Sequence, residues 1–310
     1  MNRPSVTRTY QNHHLDSTRW ADYQPRDSDV IVTTSYKAGT TFTQTILLSL
    51  IHGSIDEYPE LEQISPWIDL RPNPVPLPDI YTALDAQTKQ RFLKSHLALD
   101  GLPYFDNVKY LIVARDPRDV FMSFANHYGN YTDFAYTVFN DGPRPGEPLP
   151  RFEQDIHELW KRWISRGWFE WESEGYPFWG NMHHIQTYWD YRQLPNFLFL
   201  NYADMRADLE GSIRKIAAFI EHPVTDAEVT RVASEVNFDS VKQKAIEMDS
   251  NPSAEEPQFF AGGNRAFIFK GTNGRWKDVL TDADLELYEA AKQRVLSADC
   301  AAWLENGGPV

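Results

Sequence analysis

Lys37, Gly39, Thr40 and Thr41 stand together in one short turn, within Val-Ile-Val-Thr-Thr-Ser-Tyr-Lys-Ala-Gly-Thr-Thr-Phe over residues 30–42. An apolar run leads into the turn, and an apolar-periodic run, Thr43 to Ile51, leaves it. A strand that passes through a glycine turn into a helix makes an anion site. The first four N–H groups of a helix have no partner within it and face outward at the positive end of the helix dipole. Gly39 lets the backbone approach a ligand, Thr40 and Thr41 can cap the helix and offer hydroxyls, and Lys37 supplies a mobile charge that can follow charge developing on a transferred group. Removing one such preorganised donor costs on the order of 3 kcal/mol of barrier. The turn is not a Walker A loop, which needs an earlier glycine and a lysine after the second one.

Two further segments carry candidate chemistry. Residues 110–123 read as a buried strand that ends in Arg115 and passes Pro117 into a helix bearing Ser123. Residues 269–277, from Phe269 to Lys277, form a Gly-rich basic loop. For a proton acceptor the choice falls on His96, just past the predicted strand Arg91–Lys94, at the sheet edge where α/β sites gather. An imidazole with a reference pKa of ~6.5 is mostly neutral at pH 7 and can take a proton from a hydroxyl or ammonium. His127, His183 and His184 compete for the role. His183 and His184 with Asp190 do not make a metal site, because adjacent helical residues point about 100° apart, and no metal is expected.

The elements that must position these groups follow from hydropathy. Short β-rich runs at Val30–Thr34, Arg91–Lys94, Val108–Ala114 and Phe197–Asn201 alternate with helical spacing. This predicts an α/β fold, a single domain with a parallel β-sheet flanked by helices on both faces and a P-loop-like phosphate cradle after the first core strand. A helix is predicted over Leu209–Ile220, stopped by Pro223, with others starting at the capping box Thr225-Asp226-Ala227-Glu228 and at Thr281. One domain is expected over residues 1–310, with its core at about 28–298. Three stretches read as long loops around the acceptor and cofactor site: 71–78, 129–150 and 250–264.

The formal net charge of −14, from 30 basic and 44 acidic residues, opposes nucleic-acid and anionic-membrane partners. Any anion site must be a local basic island, for which Lys37, Lys94, Arg115, Arg118, Lys270, Arg275 and Lys277 are available. The single cysteine, Cys300, rules out an internal disulfide or a multi-cysteine zinc site. The first twenty residues lack an apolar signal core and no apolar stretch reaches membrane-spanning length, so a cytoplasmic, soluble protein is expected.

Taken together, the three segments resemble the cytosolic-type sulfotransferases, in order, over roughly residues 30–280. The first resembles their 5′-phosphosulfate loop, T-Y-P-K-S-G-T-T-W. The second resembles their 3′-phosphate segment, an Arg after a strand and a Ser eight residues on, and the third their R-K-G-x-x-G-x-W-K loop. The resemblance implies 3′-phosphoadenosine 5′-phosphosulfate (PAPS) as co-substrate, with no metal. It implies that His96 is the general base and Lys94 its companion near the sulfuryl group, from the family's K-T-H-L segment, and that Lys37 acts on the leaving phosphate. Cofactor contacts are implied for Lys37, Ala38, Gly39, Thr40, Thr41 and Phe42 in the first loop, and for Arg115, Ser123, Lys270 and Gly271 at the 3′-phosphate. Phe42 and Phe238 are the expected adenine platforms, and Tyr202, in a segment resembling the family's Y-E-D-M, stands at the adenine edge.

The chain also departs from that pattern. Ala38 replaces the loop serine, and Phe269 stands where the family's Arg binds the 3′-phosphate, leaving Arg265 or Arg275 to replace it. The family-type dimerisation motif is not seen after Trp276. Residues 160–191 hold six of the ten tryptophans. They read first as helical core, and second, with Phe105, Tyr128 and Phe139, as the wall of an apolar acceptor pocket. Glu170, Glu172 and Glu174 read as a solvated face. The expected acceptor is a small, partly apolar alcohol, phenol or amine. The alternatives are a P-loop nucleotide kinase, for which Asp116 is the one candidate Mg²⁺ ligand, and a catalytically silent nucleotide-binding protein.

Overall fold

Four parallel strands, β1 (Val30–Thr33), β2 (Phe92–Ser95), β3 (Lys109–Ala114) and β4 (Phe197–Asn201), pair in the order β2-β1-β3-β4. This computed structural model describes residues 3–143, 145–250, 258–268 and 270–310. Val30 pairs with Phe92 on one side and Lys109 on the other, and Tyr110 pairs with Phe197. The chain steps from β1 outward to β2, returns past β1 to β3, and continues to β4. The order therefore reverses between β1 and β3, and in open parallel sheets a crevice opens at the carboxyl ends of the strands that flank such a reversal.

Both faces of the sheet are covered, and the side chains alternate between two cores as the pleat requires. Ile31, Leu93, Tyr110, Ile112 and Phe199 point into the larger core, with Phe121, Trp160, Trp163 and Tyr188 from the helices above. Val30, Val32, Phe92, Leu111, Val113 and Leu200 point into the other, with Ile46, Leu47, Ile213 and Val229. Tyr10, Leu15 and Trp20 near the amino terminus, and Cys300, Trp303 and Leu304 near the carboxyl terminus, join the larger core.

The helix after β1, α1 (Thr40–His52), begins three residues before the predicted Thr43, because Gly39 already turns the backbone and serves as its N-cap. Pro117 at the first turn of α2 (Pro117–Gly129) leaves no N–H to satisfy, while Asp116 caps the next donor, Arg118 N, at 2.9 Å. The capping boxes at Thr225 and Thr281 both form, and the helix Leu209–Phe219 ends just before the expected residue.

Two predicted loops are partly helical. Pro78 sits in the first turn of a helix, Leu77–Ala86, where proline is tolerated, so the irregular stretch stops at Pro76. Thr132 caps a helix, Asp133–Asn140, inside the predicted loop 129–150. The loop 250–264 falls partly outside the described residues, as does Phe269. Among the described residues no helix is long and apolar enough to cross a membrane.

The strand entrances are locked by one buried ion pair. Asp29 and Arg91, just before β1 and β2, meet through Arg91 Nε at 2.8 Å from Asp29 Oδ1 and through a second contact to Oδ2, which also accepts from Tyr23 Oη and Arg26 N. Removing one partner leaves a buried charge uncompensated. Arg91→Met is therefore expected to lower unfolding free energy by about 3–5 kcal/mol, read from the urea midpoint.

Candidate active site

Thr34, the residue after β1, ties the turn to the neighbouring strand end. Its Oγ1 meets Thr40 Oγ1 at 2.6 Å and its carbonyl accepts from His96 Nδ1 at 2.9 Å. Beyond it Lys37 adopts positive φ, 59°, and Gly39 follows at 122°. A side chain at Gly39 would meet backbone strain and crowding together, since a Cβ there would lie 2.9 Å from Tyr202 Cδ2. No side chain caps α1. This corrects the capping expected of Thr40 and Thr41: both lie inside the first turn, where a hydroxyl cannot reach the N–H groups ahead of it. The orphan donors of that turn remain for an anion.

Three cations converge there. Lys37, Lys94 and Arg115 line one cavity of about 700 Å³ at the carboxyl ends of the strands. Burial, reinforced by the like charges of Lys94 and Arg115, pushes the Lys37 ammonium down to about 7. Lys94 lies 4.7 Å over the Trp67 ring and 3.5 Å from the exposed Glu62 carboxylate. Arg115 does not pair with Asp116 or Asp119. It donates to Asn273 Oδ1 and the Thr272 carbonyl, both at 2.9 Å, and its guanidinium lies 4.6 Å over Tyr202.

The expected basic island is smaller than the sequence allowed. Arg118 pairs with both oxygens of Asp116 and packs over Trp276 and Tyr288, away from the cavity, which also removes Asp116 as a candidate Mg²⁺ ligand. Lys277 does not line the cavity either, whereas Lys270 and Arg275 do, joined by the unforeseen Arg206.

Of the residues singled out for the cofactor, Lys37, Gly39, Thr40, Thr41, Phe42, Arg115, Ser123, Tyr202, Phe238, Lys270 and Gly271 line this one cavity. Ala38 does not, its side chain being fully buried in the larger core. Gly271, with φ of 61°, lies so close to Phe238 that a Cβ would come within 2.7 Å of the ring, so the basic loop and that aromatic platform are packed as one unit.

His96 is seated where its tautomer is decided. A carbonyl only accepts, so the contact to Thr34 O puts a proton on Nδ1 and leaves the lone pair of the neutral ring on Nε2. Burial, followed by the charge of Lys94, holds this imidazole well below its ordinary range and keeps it neutral. The ring stands edge-on to Trp67, centroids 4.7 Å apart. Asp69, absent from the sequence reading, sets that geometry: one carboxylate accepts from Trp20 Nε1 at 3.1 Å, Trp67 Nε1 at 2.7 Å and His96 N at 3.1 Å. Of the competing histidines, His127 lines the same cavity, where its Nε2 meets Tyr131 Oη at 3.0 Å, while the other two are engaged elsewhere. His183 Nε2 meets Asp100 at 3.0 Å and His184 Nε2 meets Thr33 Oγ1 at 3.1 Å, so the two rings diverge. Among the described residues no group of three or more His, Cys, Asp or Glu is placed to hold a metal.

The other half of the cavity is apolar and aromatic. Its wall includes Trp67, Phe139, Phe178, Trp179, Phe259 and Phe260. Of the residues proposed for it, Phe139 takes part, as do Phe178 and Trp179 from the 160–191 stretch, while Phe105 and Tyr128 do not, and Trp160 and Trp163 are enclosed in the core. Glu172 and Glu174 are buried, contrary to the solvated face expected of them. Both turn toward α3 (Asn181–Trp189), which has no side-chain cap of its own. Glu174 accepts from the N–H groups of Asn181, Met182 and His183, and Glu172 from Gly180. Only Glu170 is exposed. Nothing in local spacing marks His14, Trp67 or Phe259 as wall residues; they meet only in the fold.

Comparison with known proteins gives a consistent picture. Residues 27–299 match the family described as the sulfotransferase domain. A glycolipid sulfotransferase of Mycobacterium bovis is 28% identical, covering 96% of this chain and 94% of that one. Human sulfotransferase 1C2 is 25% identical over 88% of this chain and 84% of its own. Among solved structures, a mouse sulfotransferase complexed with PAP aligns with a TM-score of 0.68 at 17% identity, covering 94% and 92% of the two chains. Retinol dehydratase in complex with androsterone and the inactive cofactor PAP aligns at 0.67 and 23%, covering 92% and 87%. At those identities the structural likeness speaks to the fold.

Two outcomes follow from the cradle. Gly39→Ala is expected to lower stability by about 1–3 kcal/mol from the backbone alone and to abolish anion binding in calorimetry, because the turn must open to admit the Cβ. With Lys37 at about 7 when the site is empty, an arriving anion raises it and draws in a proton. Titration of adenosine 3′,5′-bisphosphate (PAP) near pH 7.5 in buffers of different ionisation enthalpy should show net proton uptake. The uptake should vanish in Lys37→Met and diminish near pH 5.5, where the lysine is already charged.

Proposed function

The chain belongs to the sulfotransferase-domain family and is a PAPS-dependent sulfotransferase, and we propose that it sulfates a hydroxyl on a small, partly apolar acceptor with His96 as general base. The observation that carries the assignment of the base is the tautomer of His96: Nδ1 is committed to the Thr34 carbonyl, so Nε2 is the basic atom of a ring that lines the cavity. When bound, PAPS supplies the sulfuryl group. The chain's own residues provide the rest. The N–H groups of the first turn of α1 and Lys37 hold the phosphate that leaves, as fits a helix end without a side-chain cap. Arg115, Ser123, Lys270 and Gly271 hold the 3′-phosphate, with Arg275 and Arg206 on the same wall in addition. Phe42, Tyr202 and Phe238 flank the adenine, and Ala38 contributes its backbone alone.

The proton balance is simple. His96 Nε2 takes the hydroxyl proton of the acceptor as its oxygen attacks, and Lys94 stands beside the charge that moves from acceptor oxygen to leaving phosphate. The aromatic wall excludes water, which strengthens each of these contacts. A hydroxyl fits better than a cationic amine. Among the described residues that line the cavity, the carboxylates are Glu62, which is exposed and drawn to Lys94, and Asp119, which accepts from Gly274 N in the basic loop. An ammonium would enter a region already occupied by Lys37, Lys94 and Arg115 with nothing to neutralise it. One relative named above is a glycolipid sulfotransferase, and an apolar wall is compatible with an amphiphilic acceptor. A cytoplasmic setting belongs to this reading, supported by a sole cysteine that is a buried thiol.

The test separates catalysis from binding. His96→Ala should lose about 10²–10⁴ in kcat with PAP affinity retained; unchanged transfer would remove His96 from the mechanism. The acid limb of kcat/KM in the wild type should lie below pH 6.5, since burial and then Lys94 depress the pKa of His96. In Lys94→Ala the residual activity should show that limb displaced upward, because the largest of the charges that keep the ring neutral is gone.

A further inference from the structure

Four side chains beside the apolar wall form one hydrogen-bonded chain whose direction is set by a single carbonyl. His13 Nε2 lies 2.8 Å from Pro177 O. The carbonyl only accepts, so this nitrogen carries a proton, and in the neutral form of this fully buried ring Nδ1 keeps the lone pair. The atom facing it is His14 Nδ1, which must donate, leaving the lone pair of His14 on Nε2. Tyr131 Oη is 3.3 Å from that nitrogen and spends its only hydrogen there. His127 Nε2, 3.0 Å from the same oxygen, is then the donor to it. Burial holds His14 and His127 well below the usual imidazole range, so neither gains a proton near neutral pH and reverses the order.

The arrangement is built in, and it faces the cavity. Arg71 staples the two backbone segments that carry it, donating to the carbonyls of His13 and Phe139. His14 stacks on Phe139 with ring centroids 3.6 Å apart. His14, Tyr131 and His127 all line the cavity, in its apolar half. After these contacts the Tyr131 oxygen has a second lone pair and no hydrogen left to give.

We propose that Tyr131 Oη, oriented by His14 and His127, is a distal recognition point that accepts a hydrogen bond from a second donor group, an O–H or N–H, on the molecule being sulfated. The inference rests on the reading of this cavity as the acceptor pocket of a sulfotransferase. It fixes a substrate class: a flat, mostly apolar molecule with the reacting hydroxyl at one end and a hydrogen-bond donor at the other. The Trp179 ring stands beside His96 and beside His14, the hydrogen-bond partner of Tyr131, with centroids 5.8 and 5.9 Å away, so a small fused-ring acceptor is the size to test. An ether or ketone oxygen at the distal position finds no hydrogen to accept.

The test compares 2-naphthol, 2,7-dihydroxynaphthalene and 7-methoxy-2-naphthol as acceptors with PAPS, in the full-length wild type and in Tyr131→Phe. Normalised per hydroxyl, the wild-type kcat/KM should favour the diol over the methyl ether by about tenfold, the value of one buried hydrogen bond. In Tyr131→Phe the three should fall within about threefold of one another. PAP calorimetry on the variant reports whether it is folded. Should it not fold, binding of the three naphthols to the PAP complex of the wild type carries the same comparison, as it also does should none be turned over. A wild type that does not distinguish the diol from the methyl ether, or a variant that keeps the preference, overturns the inference while leaving the sulfotransferase reading intact. A wild type that fails to bind PAP overturns both.

Discussion

Like charges taken out of water at one end of a parallel sheet are the constraint around which this protein is arranged. Lys37, Lys94 and Arg115 share a cavity on a chain whose formal net charge is −14, and buried cations are costly unless something answers them. The answer is notable for what it avoids. Arg115 rests on a carbonyl, an amide oxygen and a tyrosine face, and Lys94 on an indole and an exposed glutamate. Dipoles and π faces carry most of the charge, and the nearby carboxylates make no ion pair with Arg115: Asp119, buried on the same cavity wall, accepts from Gly274 N instead. The field at the strand ends therefore remains directed at an anion.

That end of the molecule was largely legible in the sequence, because its parts are local. A strand, a turn with Gly39 and a helix are contiguous, as are β3, Arg115 and the helix with Ser123. The strands read clearly because each is buried on both faces, and β4 matches its expected limits at both ends. The errors at the other strands are one-residue shifts, decided by which backbone groups find a ladder partner rather than by hydropathy. The capping expected of Thr40 and Thr41 failed for a related reason: residue type marks a helix start, but the position of Gly39 decides which residue stands outside the first turn.

The apolar half was far less legible. His14, Trp67, Phe139, Trp179 and Phe260 come from five separated segments, and no spacing along the chain relates them. The dense tryptophan stretch at 160–191 is conspicuous because it is local, yet most of it supports the core, and its Glu172 and Glu174 are buried by a requirement from elsewhere, the uncapped start of α3. Asp69 is unmarked in the sequence for the same reason: its role exists only once Trp20, Trp67 and His96 have been brought around it.

The stretch of residues 258–268 and 270–275 runs along both halves of the cavity. Phe259 and Phe260 belong to the aromatic wall, while Lys270, Gly271, Thr272 and Arg275 belong to the cationic end. Backbone that touches both occupants cannot be placed for one without being placed for the other. On the proposed placement of donor and acceptor, the two would be coupled through a common strip of chain, and by linkage the factor by which one alters the affinity of the other would be the same in either direction. Cooperativity between two different ligands, ordinarily a property of separate sites, would then be a consequence of their sharing a wall.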